Sequence, residues 1–399
     1  MAILRSARIP PTTLFLLAAC GGASDEDAPP AASPPPPNPI VQTDWASFRG
    51  QPELTGRAGG ELAGELHLLW TARTGAPIAS AAVIAGERVF VGSDDGRVRA
   101  LDFASGEEVW AVAPGGRAEP AGIEAPPAAA EGRVYVGDRE GILWCLAAED
   151  GAVRWSFRTG GQITGAAAVA GSGERTRVLV GSHDAFLYCL DATGAERWRY
   201  ESGSYVNGAP AIADGEVAFG GCDGFLHVVD IESGEARGRW EVGSYVAGSP
   251  AIAGGLAFVG HMAGRVVALE LASGTRAWEY GTGDLAFFSS PAVDETRIVI
   301  GGRDGRVHGI DRARGEPFWT FRTGGNVDGS PVFCGERVVA ASEDGRLYVL
   351  DAASGERIWS YEIGAPIVAS PAVARGRIVV GAQDGVLYAF GADQNRIGR

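Results

Sequence analysis

Residues 370 to 390 read SPAVARGRIVVGAQDGVLYAF. A short apolar run, a turn, an alternating strand, an Asp-Gly turn and a second strand follow one another. Near copies stand at 330 to 350, SPVFCGERVVAASEDGRLYVL, and at 290 to 310, SPAVDETRIVIGGRDGRVHGI. What comes next repeats too, since Asp351 through Gly355 to Trp359 echoes Asp311 through Gly315 to Trp319. Self-similarity at a fixed period decides the fold before any local reading does.

Worked outward, the Asp-Gly turn or its equivalent falls at Asp95-Gly96, Glu140-Gly141, Asp184-Ala185, Asp223-Gly224, Ala263-Gly264, Asp304-Gly305, Asp344-Gly345 and Asp384-Gly385. The tryptophans Trp70, Trp110, Trp155, Trp198, Trp240, Trp278, Trp319 and Trp359 keep the same beat. Each unit holds four short runs of period two, the pattern of a propeller blade. The expectation is an all-β, eight-bladed β-propeller of four-stranded antiparallel blades. The last unit stops at Phe390 without a Trp strand, and a stray Trp strand at 66–74 precedes the first unit. That strand is expected to complete the last blade, close the ring and leave no open edge. One unit departs from the pattern. Its Trp slot is Gly238, and Trp240 stands where other units carry Tyr200, Tyr280 or Tyr361. This junction is expected to be the weakest packed.

The flanks divide the rest of the chain. Residues 1–19 read as an export signal, with Arg5 and Arg8 before an apolar segment. It ends Leu17-Ala18-Ala19-Cys20-Gly21, which resembles a bacterial lipoprotein signal and implies a lipid anchor on Cys20. Residues 20–43 are Pro/Ala-rich and too poor in apolar surface to fold, so they read as a disordered tether. Residues 44–65 are expected to pack their aromatics on the propeller, which spans 66–390, and 391–399 form a C-terminal tail.

Composition excludes several chemistries. All 34 basic residues are Arg, so Schiff-base and phosphate-loop lysines are ruled out. A formal charge of −15 argues against nucleic acid as a partner. Five Cys are too few for a disulfide scaffold in 399 residues. Cys145 and Cys189 share a slot on neighbouring blades, too far apart to pair, and are expected as free buried thiols.

The Trp strand after Asp-x-x-x-Gly-Glu, the Asp-Gly turn and the N-terminal Trp45-x-x-Phe48-Arg49-Gly50 resemble the pyrroloquinoline quinone-like repeat family, over roughly Trp45 to Phe390. With the lipoprotein-like start, the chain resembles the BamB-type outer-membrane assembly lipoproteins. That resemblance implies a propeller and a scaffold role. The same fold also serves quinone-dependent dehydrogenases. Those enzymes place a vicinal Cys pair beside the quinone, and no two Cys here are adjacent. They also use an Asn/Glu/Asp cluster for calcium. This chain has only Asn38, Asn207, Asn326 and Asn395, with no insertion bearing such a cluster.

Other candidate chemistry reads as structure. His183, Cys222 and His261 come from three consecutive blades and suggest a metal site, but turns at this radius are expected to hold them apart as a polar rim. His227 and His308 occupy the slot of Trp144, Tyr188, Tyr348 and Tyr388 and are expected to pack. No cofactor, metal or catalytic residue is expected.

The loops before each first strand vary while the framework repeats, and variation on a repeated scaffold is where recognition is placed. The candidate partner-binding residues are Tyr205, Asn207, Tyr245, Phe287, Phe288, Asn326 and Asp328. The equal alternative is that the aromatics among them plug the channel top. The expected function is a monomeric, non-enzymatic cell-envelope scaffold, anchored in a membrane through Cys20 and binding an envelope protein partner. A quinone-dependent or small-molecule-binding propeller is the alternative.

Overall fold

The computed structural model describes residues 44–393 except 117–118, 282 and 284. Every element that the repeats demand is present. In the last unit Ala372–Ala374, Arg377–Gly381 and Val386–Gly391 form three antiparallel strands. Gly376 and Gly385 sit in the turns between them at φ +72° and +74°, the left-handed region that side chains avoid. The fourth strand is His67–Arg73, paired antiparallel with Val386–Gly391 and bringing Thr71 opposite Tyr388. The other seven blades each take their four strands in sequence, beginning with Val83–Ala85 in blade 1. Neighbouring first strands touch all the way round, and Val83–Ala85 meets Ala372–Ala374 to complete the circle. The architecture is an eight-bladed propeller closed by its N-terminal strand.

One polar contact joins every pair of blades. Each indole N–H donates to a backbone carbonyl of the next blade: Trp70 to Phe103, Trp110 to Ala148, Trp155 to Ala192 and Trp198 to Ile231. The series continues with Trp240 to Leu271, Trp278 to Arg312, Trp319 to Ala352 and Trp359 to Leu66, all between 2.9 and 3.1 Å. Under seven of the indoles lies a turn glycine of the following blade, such as Gly106 beneath Trp70, where a Cβ would overlap the ring.

The fourth blade corrects the expectation of a weak junction. Trp240 lies opposite Leu226, the register that Tyr200 takes opposite Leu187. Its ring nevertheless lies back over Gly238, donates to Leu271 and covers Gly274 as the other tryptophans cover theirs. Gly238 is small because the indole from two residues further on occupies the space a side chain would need.

Segment 44–58 follows the inner edge of the ring. Trp45 exchanges two backbone hydrogen bonds with Ile84 of blade 1. The backbone N–H groups of Ala129, Ile212, Ile252, Val293 and Phe333 then donate to the carbonyls of Ala46, Pro52, Glu53, Thr55 and Gly56. Arg57–Ala58 finishes as a parallel strand beside Val332–Cys334. These bonds satisfy donors that a first strand otherwise leaves bare toward the channel. Arg49, at φ +64° and 1% exposed, braces the circuit. Its Nη1 donates to the Pro331 carbonyl at 2.5 Å and its Nη2 to that of Pro291 at 2.9 Å, bridging blades 7 and 6. Burial pulls its pKa down to about 9.

Cys145, Cys189 and Cys334 are free and buried, with thiol pKa values pushed by burial to about 11, 12 and 11. The expected free thiols at Cys145 and Cys189 are what the structure has. Cys20, the tether and the signal lie outside the described residues.

Two substitutions test these contacts. Gly238→Ala should destabilise the protein by about 1–3 kcal/mol in urea unfolding, because the new methyl meets the Trp240 ring. A neutral result would mean the slot is empty. Arg49→Lys should cost about 2–3 kcal/mol, since one ammonium cannot reproduce a planar bridge to two carbonyls.

Candidate functional site: the loop face and its cup

The loops entering each first strand and the turns between second and third strands share one face of the ring. One hydrogen bond ties them together in all eight blades. The N–H of the variable turn residue donates to the carbonyl of the loop residue five places before the first-strand proline position. Thus Cys222 donates to Tyr205, Met262 to Tyr245, Arg303 to Ala286, Glu343 to Asn326 and Gln383 to Pro366. Asp94, Arg139 and His183 do the same to Pro77, Gly122 and Gln162, every bond being 2.9–3.1 Å. The two positions that vary most are therefore held side by side on rigid backbone.

Tyr205 and Tyr245 project from this face, 54% and 53% exposed. Met262 and Leu285 are also exposed, so blades 4 to 6 form an apolar arc. The His183 ring stacks on Tyr205 at 4.9 Å, and its Nε2 lies 3.2 Å from the Thr164 hydroxyl. Burial pulls the His183 imidazole below its usual pKa and favours the neutral form. The remaining large exposed apolar residues, Leu68, Val109, Val153, Phe318 and Ile358, are scattered on outer strands.

Phe287 does not belong to this surface. It is fully buried, beside Gly260 and edge-on to His308. Its position, four before the proline, is that of Ile123, Ile163, Val206, Val246, Val327 and Ile367, all of them buried to 1% exposure or less. Side chains here wedge against the small residue ending a second strand, so an aromatic at this position is core.

Inside the arc the loops surround a cup of about 170 Å³. Blades 2 and 7 contribute the carboxylates of Glu124 and Asp328, blades 3 and 4 Thr164 and Asn207, and blade 6 Phe288. Blades 1, 5 and 8 contribute Ala79, Ala247 and Val368, and Phe48 of the inner segment also lines it. Arg139 pairs with Glu124 and reaches Asp94 at 3.2 Å. Arg303 grips Asp328 with Nε at 3.0 Å and Nη2 at 2.7 Å, while its guanidinium lies 3.5 Å over the Phe288 ring. Asn207 donates to the Cys222 thiol at 3.0 Å, and Asn326 to Glu343 at 3.0 Å. Asn326 thus sits on the rim, and Asn207, Phe288 and Asp328 in the wall.

The histidines are separately engaged. The His261 Nδ1 accepts from the Ala263 N–H, away from His183 and Cys222. Among the described residues no cluster of three or more His, Cys, Asp or Glu is placed to hold a metal ion. His227 bridges Asp223 at 2.8 Å and Tyr200 at 3.2 Å, and His308 bridges Asp304 at 3.1 Å and Tyr280 at 3.0 Å. Both are 1% exposed. Tyr188, Tyr348 and Tyr388 donate likewise to Asp184, Asp344 and Asp384. Each turn aspartate thereby receives the polar end of the residue four places on, a spacing visible in the sequence that the reading of single histidines passed over.

The cup is poorly suited to pyrroloquinoline quinone, which carries three carboxylates. Its wall bears two carboxylates of its own, and the neighbouring Arg139 and Arg303 are already paired with them. Among the described residues no arginine lines it.

The comparisons with known proteins agree with this architecture. The family model described as "Outer membrane protein assembly factor BamB" matches residues 63–124, 94–173, 164–302 and 303–397. No curated protein matches the chain. Among solved structures, BamB from Moraxella catarrhalis superposes with a TM-score of 0.69 at 21% identity, covering 83% of this chain and 98% of that one. The computationally designed Ika8 protein gives 0.70 at 19% identity, covering 84% and 100%. Quinohemoprotein alcohol dehydrogenase from Comamonas testosteroni gives 0.74 at 14% identity, covering 90% and 82%. At such identities the likenesses concern fold alone, whereas the family model spans most of the propeller. On that match the chain belongs to the BamB family of PQQ-like repeat propellers.

Proposed function

We propose that this chain is a non-enzymatic scaffold of the cell envelope that docks a protein partner on its loop face, serving outer-membrane protein assembly. The observation that carries the reading is the apolar arc of Tyr205, Tyr245, Met262 and Leu285. Exposed aromatics on a preorganised frame are what an interface core uses, because little side-chain or loop entropy is lost on contact. Family membership supports the assembly role. The signal-like residues 1–19 and Cys20 support a lipid anchor and an envelope location, with 20–43 as spacer. The likeness to a quinohemoprotein alcohol dehydrogenase favours a second reading as a quinone enzyme, but the acidic, cation-poor lining of the cup weighs against it.

Photo-crosslinking from positions 205 and 245 in envelope membranes tests the docking face. Both sites should capture the same outer-membrane assembly protein, and a probe at the outer-strand position 318 should not. Tyr205→Ala and Tyr245→Ala should each weaken that complex by about 2 kcal/mol, or ~30-fold. Equal labelling from all three positions would sink the proposal. Mass spectrometry of the exported protein should find a lipid on Cys20, and Cys20→Ser should release it from membranes. Pyrroloquinoline quinone added with an alcohol and a redox dye should give no turnover above the dye blank.

A further inference from the structure

We propose that the cup at the centre of the loop face is a binding site for an uncharged, hydroxyl-rich molecule of about monosaccharide size. The proposal concerns a small ligand and stands apart from the docking arc beside it. The space, about 170 Å³, far exceeds the ~15 Å³ that one water requires. It falls short of the ~300 Å³ at which drug-sized ligands begin to be held.

The cup is two-sided below its rim. Blades 5 to 8 line it with Ser249, Ser290, Ser330 and Ser370, while blades 1, 3 and 4 present only alanines at the same register. Each serine Oγ accepts a backbone N–H from the blade before it: Ala209 at 2.8 Å, then Ser249, Ser290 and Ser330 at 2.9 Å. Among the described residues none of these four hydroxyls donates a hydrogen bond in return. A hydroxyl carries one hydrogen as well as two lone pairs, so half the throat is a row of uncommitted donors. Ser249, Ser290 and Ser330 are 2–3% exposed, where unmet polar groups are costly.

Acceptors sit above them. Glu124 and Asp328 are held by Arg139 and Arg303, so their oxygens stay oriented and keep lone pairs for ligand hydroxyls. Phe288 and Phe48 add apolar surface for C–H groups. Donors below, oriented acceptors above and rings beside them match a polyol, which carries both kinds of hydrogen-bonding group on a carbon frame. An anion is disfavoured. Asp94, Glu124, Asp328 and Glu343 surround the mouth, and among the described residues the arginines paired with them are Arg139 and Arg303 alone.

Saturation-transfer NMR on the full chain tests this with D-glucose and myo-inositol as probes and acetate and inorganic phosphate as anion controls. The polyols should receive saturation, with a dissociation constant on the order of 1 mM, and the anions should not. Val368→Trp, which fills the cup from its half-buried rim, should abolish the signal, and Phe288→Ala should weaken binding at least tenfold (~10-fold is 1.4 kcal/mol). Both variants should keep the wild-type circular dichroism. Phe318→Ala, on an outer strand, should bind as the wild type does. Absence of transfer to both polyols, binding unchanged in folded Val368→Trp, or tighter binding of either anion would overturn the assignment.

Discussion

The indole N–H that each blade gives to the next is the contact on which the ring depends. A blade is a small sheet with two apolar faces, and dispersion alone would let neighbouring sheets slide. The hydrogen bond fixes where along the next blade each tryptophan rests, and the turn glycine lets it come close. Blade 4 demonstrates that the contact outranks the sequence slot that delivers it. Trp240 arrives from a different register and still finds the Leu271 carbonyl and the Gly274 turn.

Once the frame is fixed in this way, the loop face is free to vary. The repeated bond from turn to loop sets the backbone whatever side chains are present, as the pairs Tyr245–Met262 and Asn326–Glu343 illustrate. Recognition can then be written into side chains with little effect on folding. Apolar character collects over blades 4 to 6, while oriented charges and hydroxyls collect around the cup. Two surfaces of different chemistry share one rigid platform.

Much of this was legible in the sequence because a blade repeats its chemistry at a constant interval. The count of eight, the Asp-Gly turns and the missing last strand all follow from period and register. What escaped was of three kinds. Phe287 looked like a loop aromatic because loop and wedge positions are adjacent, and only the alignment of Val246 and Val327 with it marks it as core. The course of residues 44–58 escaped because its bonds are made by backbone, which leaves no residue signature apart from Trp45 and Arg49. The serines of the cup were visible as Ser-Pro pairs, but their meaning came from standing in neighbouring blades with one lone pair used and the hydrogen free.

The closing strand has a consequence for how the molecule is made. His67–Arg73 precedes every other blade strand in the sequence and pairs with Val386–Gly391, the last strand of the ring. Until they pair both ends of the circle carry unpaired edges, and the Trp359 indole lacks its acceptor at Leu66. Such a contact separates its partners by almost the whole ring, which slows folding and prolongs the life of open intermediates. A ring of this topology closes only when its two most distant strands are both available, so seven finished blades do not yet make a finished shape.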